Sequence, residues 1–263
     1  MRLAVILPAA GASSRYRASG GLRSKIDEDL GGRPVLQRTV EIFIQRDETA
    51  CVIVAGPADE WDDFLSRHGD KLGLLGVKLC KGGETRRYET VRNALALVPA
   101  DCTHVAVHDA ARPCTPPELI DRILLAAEKH AAVIPALDVP DTVKRVAPSA
   151  VVQKDIDPLD AILSGGSSAA RNVRAVEATI SRERLVLVQT PQVFSRELLL
   201  RAYAQPDLTS TDDASLIEKL GEPVMVVEGD PRNIKVTRPV DLQTARLILQ
   251  FRPPAERETH KRF

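Results

Sequence analysis

Short runs rich in Val, Ile and Leu recur along the chain at Leu3–Leu7, Cys51–Ala55, Val77–Cys80, His104–His108, Ala132–Ala136, Val186–Val188 and Val224–Val227. Their length and β-branched content predict strands. Between them, Val35–Gln45, Thr85–Leu97 and Glu118–His130 repeat apolar residues at helical spacing. In the last of these, Leu119, Ile120, Ile123, Leu124 and Ala127 share one face, and Pro116 and Pro117 stand where a helix tolerates proline. Thr211 is placed to cap a helix over "DDASLIEKL", which Gly221 stops, and Pro239 opens a final helix through Leu249.

Strands alternating with helices predict an α/β fold, a mostly parallel sheet with helices on both faces. In such sheets ligands bind beyond the carboxyl ends of the strands. Two stretches break the alternation. Residues 147–174 contain "SGGSSAAR", whose Gly and Ser content predicts a flexible excursion. The end, "RPPAERETHKRF", is polar and broken by proline, and a disordered tail is expected there. No internal repeat is visible.

Composition narrows the partners. The chain has 263 residues, enough for one substantial core, and its 36 basic residues balance 36 acidic ones. No overall field draws it to nucleic acid or to an anionic membrane, so any anion must be recognised locally. The apolar start, Leu3 to Ala10, follows a single Arg2. It is far shorter than the roughly 20 residues of a membrane span, and reads as a buried first strand. Cys51, Cys80, Cys102 and Cys114 form no CxxC pair and have no histidine cluster beside them, which points to reduced thiols and a cytoplasmic protein.

The chemistry begins in "VILPAAGASSRYRASGGLRSK", where the first apolar run empties into Ala9, Ala10 and Gly11 and then into cations. Ser13 and Tyr16 break a GxGxxG pattern, and Gly11 does not open a GxxxxGK[ST]. The physical logic remains. Small residues let a base or sugar approach the backbone, successive N–H groups can cradle oxyanions, and Arg15 and Lys25 can neutralise phosphate. A solvated basic loop is the alternative.

Other strand ends add to this. In "THVAVHDAARP", Asp109 follows a strand and could meet a ribose hydroxyl, help hold Mg²⁺, or cap a following helix. His108 reads as a packed residue. "KGGETRRYETV" places two glycines before a helix amino terminus suited to an anion or a base edge. In "EGDPRNIKVTRP", Lys235 lies in an extended run two residues after Asn233, where alternation points both the same way.

"PAAGASSR", "HDAARP", "DTVKR", "TPQVF", "TDDAS" and "NIKVTRP", in this order from about Leu3 to Leu249, resemble the 2-C-methyl-D-erythritol 4-phosphate cytidylyltransferase family. That resemblance implies a three-layer, Rossmann-like nucleotidyltransferase fold over residues 1–250, a protruding dimerisation arm with an insertion at about 138–185, and a tail at 251–263. It implies a homodimer that moves CMP from CTP to methylerythritol phosphate with Mg²⁺. By motif, Arg15 and Lys25 would stabilise charge at the α-phosphate. Ala9, Ala10, Gly11, Gly83 and Thr90 would face the cytosine, with Ala110 also on the nucleotide. Asp109 would sit at the ribose and metal. Arg112, Thr142, Arg182, Thr211 and Lys235 would hold the acceptor, and Arg182 and Lys235 would aim its attack.

The chain departs from the family pattern at several points. Ser13 replaces a second glycine, Ser24 replaces a proline before Lys25, "IDEDLGGRPVL" replaces an uncharged stretch, and Arg232 replaces an Asp before Asn233. The second loop is one residue longer, so Arg87 and Thr90 match its RxxS element. The stretch between Arg145 and Arg182 is also longer. Two other readings share the nucleotide half: a cytidylyltransferase for another polyol phosphate such as ribitol 5-phosphate, and a non-catalytic nucleotide-binding relative.

Overall fold

The computed structural model describes residues 1–148 and 173–251. They form two units, one of Met1–Leu137 with Val188 onward, the other within Asp138–Leu187. The expected excursion at "SGGSSAAR" and the tail from residue 252 lie outside the described residues.

The first unit opens with β1 (Leu3–Pro8), α1 (Ser14–Ala18), α2 (Val35–Ile44), β2 (Thr49–Gly56), α3 (Trp61–Leu74), β3 (Lys78–Lys81) and α4 (Arg87–Leu95). Next come β4 (His104–Val107), α5 (Pro117–Ala127) and β5 (Ala132–Asp138). The second unit holds β6 (Val143–Val146) and β7 (Val176–Ile180), an antiparallel pair that matches Val143 with Ile180. After β8 (Val186–Val188), the chain runs through β9 (Gln192–Ser195), α6 (Arg196–Tyr203), α7 (Ala214–Lys219), β10 (Met225–Glu228) and α8 (Pro239–Ile248).

The main sheet has the order β10-β5-β9-β4-β1-β2-β3. Along this order the pairings are parallel except those of β9, which runs antiparallel to both β4 and β5. The carboxyl ends of β1 to β5 and β10 therefore lie along one edge.

Alternate residues of each strand feed two cores. Leu3, Val5 and Leu7 of β1 pack with α2, α3 and α5 through Phe43, Phe64 and Ile123. Ala4 and Ile6 pack on the opposite face with α4, α6 and α7 through Val91, Leu199 and Ile217. This is the layering expected for a sheet buried on both sides.

Several expectations need correction. Thr211 does not cap α7. That helix begins at Ala214, its first N–H donates to Gln192 Oε1 at 3.1 Å, and Asp212 Oδ1 accepts from Ser215 N at 3.1 Å. Gly221 does end it, at φ +75°, a conformation glycine adopts without cost. Residues 233–236 form no strand, so Asn233 and Lys235 do not share a pleated face. Phe251 belongs to the fold rather than the tail, with its ring against Gly31 and the Arg38 guanidinium 4.5 Å from its centre.

Candidate active site

At the end of β1 the Ala9 N–H donates to Ala55 O at 2.8 Å, which ties the first loop to β2. Ala9, Ala10, Gly11 and Ala12 then form one wall of a cavity of about 310 Å³. Lys25 and Ile26, the stretch Gly83 to Arg87, Thr90, Asp109 to Ala111 and Lys235 complete it. A Cβ at Gly11 would meet no protein atom within 4 Å, so the room there belongs to the cavity.

The double glycine is more than a turn. A Cβ at Gly82 would lie 2.8 Å from Ala10 Cβ, and one at Gly83 only 2.2 Å from Glu89 Cβ. This close approach lets Gly83 N donate to Thr90 Oγ1 at 3.0 Å and sets a backbone edge beside the cavity. The amino terminus of α4 is not open, contrary to expectation. Glu89 Oε2 accepts from Thr85 N and Arg86 N, both at 3.0 Å, and these bonds hold the Glu89 carboxyl below its ordinary range. An anion would have to displace a carboxylate already in place.

Asp109 is fixed from behind. Its N–H donates to Thr190 Oγ1 at 3.0 Å, and that hydroxyl lies 3.2 Å from Nδ1 of the fully buried His108. His108 Nε2 faces Arg112 O at 3.3 Å, and burial pushes the imidazole down to about 4, so it stays neutral and structural. No helix follows Asp109 directly, which removes the capping role. Its Oδ2 instead meets Lys235 Nζ at 2.9 Å and Arg112 Nε at 3.1 Å. Burial alone would raise its pKa, but Lys235, Arg112 and Arg87 outweigh it and keep the carboxylate firmly ionised.

Arg112 is largely committed to the protein. Besides Asp109, it donates from its other arm to Asn233 O at 2.7 Å. Asn233, fully buried, gives Nδ2 to Thr190 O at 2.8 Å and accepts from Thr115 at 2.9 Å. Asn233 thus turns inward while Lys235 turns to the cavity.

A second cavity, of about 330 Å³, shares Arg87, Asp109 and Lys235 with the first. Arg112, Thr190, Gln192, Thr211 and Asp212 also line it. Arg87, whose importance sequence spacing understated, stands between the two. Its guanidinium reaches Asp213 Oδ2 at 2.7 Å, and Tyr203 donates to the other oxygen of that buried carboxylate at 2.5 Å. Burial works against the charge on Arg87, but Asp213 and Asp109 more than restore it. Nothing in local sequence links Arg87 to Asp213, so only the fold reveals the pair.

Lys25 is pushed below the usual lysine range by burial, then by Lys235 and Arg15, with Asp109 opposing. Arg15 itself is exposed on α1 and is not on the cavity wall, although its charge reaches Lys25. Thr142 and Arg182 belong to the second unit, where the Arg182 guanidinium donates to Pro140 O. Among the described residues no three His, Cys, Asp or Glu side chains cluster to hold a metal by themselves.

Comparison with known proteins identifies what carries this geometry. A family model described as 2-C-methyl-D-erythritol 4-phosphate cytidylyltransferase matches residues 3–163 and 159–251. The chain belongs to this family. A relative of that name from Frankia casuarinae is 40% identical over 256 residues, covering 97% of this chain and 84% of its own length. One from Bacteroides fragilis is 39% identical over 225 residues, covering 84% and 88%. The crystal structure of 2-C-methyl-D-erythritol 4-phosphate cytidylyltransferase from Thermus thermophilus superposes with a TM-score of 0.69 at 31% identity. It covers 95% of this chain and all of that one. The expected nucleotidyltransferase fold is therefore present.

Proposed function

We propose that the chain transfers CMP from CTP to 2-C-methyl-D-erythritol 4-phosphate and releases pyrophosphate. The observation that carries this reading is the meeting of Lys25, Lys235 and Asp109 where a narrow, small-walled cavity joins a second, polar one. The first suits a nucleotide. Ala9 to Gly11 admit the base against backbone, and the Gly83–Thr90 edge reads it. Thr211 and Lys235 in the second offer contacts to a phosphate monoester.

Such a phosphate is already a nucleophile, so no strong base is needed, which accords with the neutral, buried His108. The difficulty is charge, because two anions must meet. Fixed cations offset that repulsion and stabilise the charge that develops at the α-phosphate, and orientation supplies much of the remainder. Lys25 faces the nucleotide cavity and Lys235 the junction. Arg87 stands beside both, braced by Asp213. Arg112 is read here as the group that orients Asp109 rather than as a direct acceptor contact. Arg15, from the exposed helix, adds positive potential near Lys25. Thr142 and Arg182 are retained as acceptor residues on the resemblance alone.

Mg²⁺ fits the donor set. This ion is commonly held by one or two carboxylates together with substrate phosphates rather than by a protein cage. Asp109 supplies one ionised carboxylate, and its cationic contacts both fall on Oδ2. Bound there, the ion would neutralise phosphate charge. A homodimer is part of the same reading, supported by exposed Val173, Val176, Leu185 and Leu187 on the second unit. The four free cysteines accord with a cytoplasmic setting.

The test offers CTP and Mg²⁺ with either methylerythritol phosphate or ribitol 5-phosphate and follows pyrophosphate. Release with the first acceptor is expected. Release with ribitol phosphate alone would overturn the acceptor, and CTP binding without release from either would favour a binding-only relative.

A further inference from the structure

Ser13 stands at φ +52°, ψ +26°, a left-handed conformation that disfavours side chains and that glycine accepts freely. It is also buried, at 8% exposure. It occupies the cap position of α1, yet its hydroxyl makes no capping bond to that helix. The hydroxyl turns instead across the loop. Its Oγ lies 3.1 Å from Ser24 Oγ and accepts the Lys25 N–H at 3.4 Å. A serine held where glycine is cheaper, with its hydroxyl spent eleven residues away, indicates that the hydroxyl is the reason for the residue.

The other flank of Lys25 is tied as well. Asp27 Oδ1 lies 2.6 Å from Nε2 of His68, which is buried in α3, and Asp27 Oδ2 lies 3.4 Å from Arg67 Nε. Asp27 N donates back to Ser24 O at 2.9 Å. Lys25 thus sits between an anchor to α3 and the contact with Ser13. Without Ser13, the side toward the first loop has no such tie to Ser24.

We propose that Ser13 is a positioning residue for Lys25, joining the start of the first loop to Ser24 and to the Lys25 amide and so fixing where the ammonium stands at the cavity wall. The role rests on the reading of Lys25 as the cation at the reacting phosphate. Ser13 touches no substrate in this scheme and acts only through Lys25.

Ser13→Gly tests it directly, because glycine accepts the same backbone angle and lacks the hydroxymethyl group that makes both contacts. The expected result is a kcat lower by roughly tenfold, the scale of one hydrogen bond, with an unchanged melting temperature. Ser24→Ala should behave alike, and Ser24→Thr should retain activity. In a Lys25→Ala background, Ser13→Gly should cause no further loss, and a further loss there would contradict the proposal. A second readout needs no turnover: acylation of Lys25 at fixed pH, followed by mass spectrometry. Ser13→Gly and Ser24→Ala should change its labelling rate and Ser24→Thr should not. Unchanged labelling in Ser13→Gly overturns the inference whatever the turnover. If the parent protein releases no pyrophosphate with any acceptor, the functional reading fails, and labelling still decides the role of Ser13.

Discussion

In the proposed reaction Lys25, on the cavity wall, is the cation at the reacting phosphate. Its burial is tolerable only because Asp109 stands near, and Lys235 and Arg15 press its charge the other way. Such a cation gains most from an incoming phosphate. Lys25→Ala should lower kcat by about 10²–10³, the usual scale for one electrostatic donor, as steady-state pyrophosphate release would show. The same environment sets a pH dependence. Only protonated Lys25 can act, and its pKa lies below the ordinary 10.5, so kcat/KM should fall with rising pH along a limb below that value. A limb unchanged in Lys25→Ala would assign it to another group. Lys25, Asp109 and Lys235, all on the cavity wall, were legible in sequence because each lies in a stretch that follows a predicted strand and resembles a motif of the family. Arg87 and Ser13 were not. Their partners, Asp213 and Ser24, lie far along the chain or across a loop, and only folding brings them together.

Among the elements, α4 and the loop before it show how local structure is spent on the site. Gly82 and Gly83 allow the loop to pass against Ala10 and Glu89, and Glu89 satisfies the N–H groups that a bare helix start would offer to an anion. A methyl at Gly83 would meet Glu89 Cβ and Thr90 N at 2.2 and 3.0 Å. Gly83→Ala should therefore raise KM for CTP by roughly tenfold, about the worth of one lost hydrogen bond, and leave kcat little changed. Titrating CTP against both proteins checks this. The long apolar repeats of α2 and α5 announced themselves by period. Strand β9 did not, because four residues with Gln192 and Ser195 at its ends carry too little pattern. The helix α3 carries a weaker signal, because its buried face is only Phe64, His68 and Leu72, one of them polar.

For the molecule as a whole, two cores on either face of one sheet hold a set of charges that would otherwise repel. His108, fully buried between strand and site, links stability to pH. Its folded pKa of about 4 lies below the ordinary 6.5, so the unfolded chain binds the proton first as pH falls. The stability that depends on neutral His108 is complete above about 6.5 and is lost as pH falls toward 4, amounting to about 3 kcal/mol. Denaturant unfolding of the metal-free protein across that window should show the slope, and His108→Gln should flatten it. The proposed transfer is followed by tracing the α-phosphorus of labelled CTP in the presence of Mg²⁺ and methylerythritol phosphate. The label should pass to a cytidine diphosphate ester of the acceptor alcohol, made of the α-phosphate of CTP and the acceptor's own phosphate, with one pyrophosphate released per label transferred. CTP recovered intact from a folded protein that binds it would rule the transfer out.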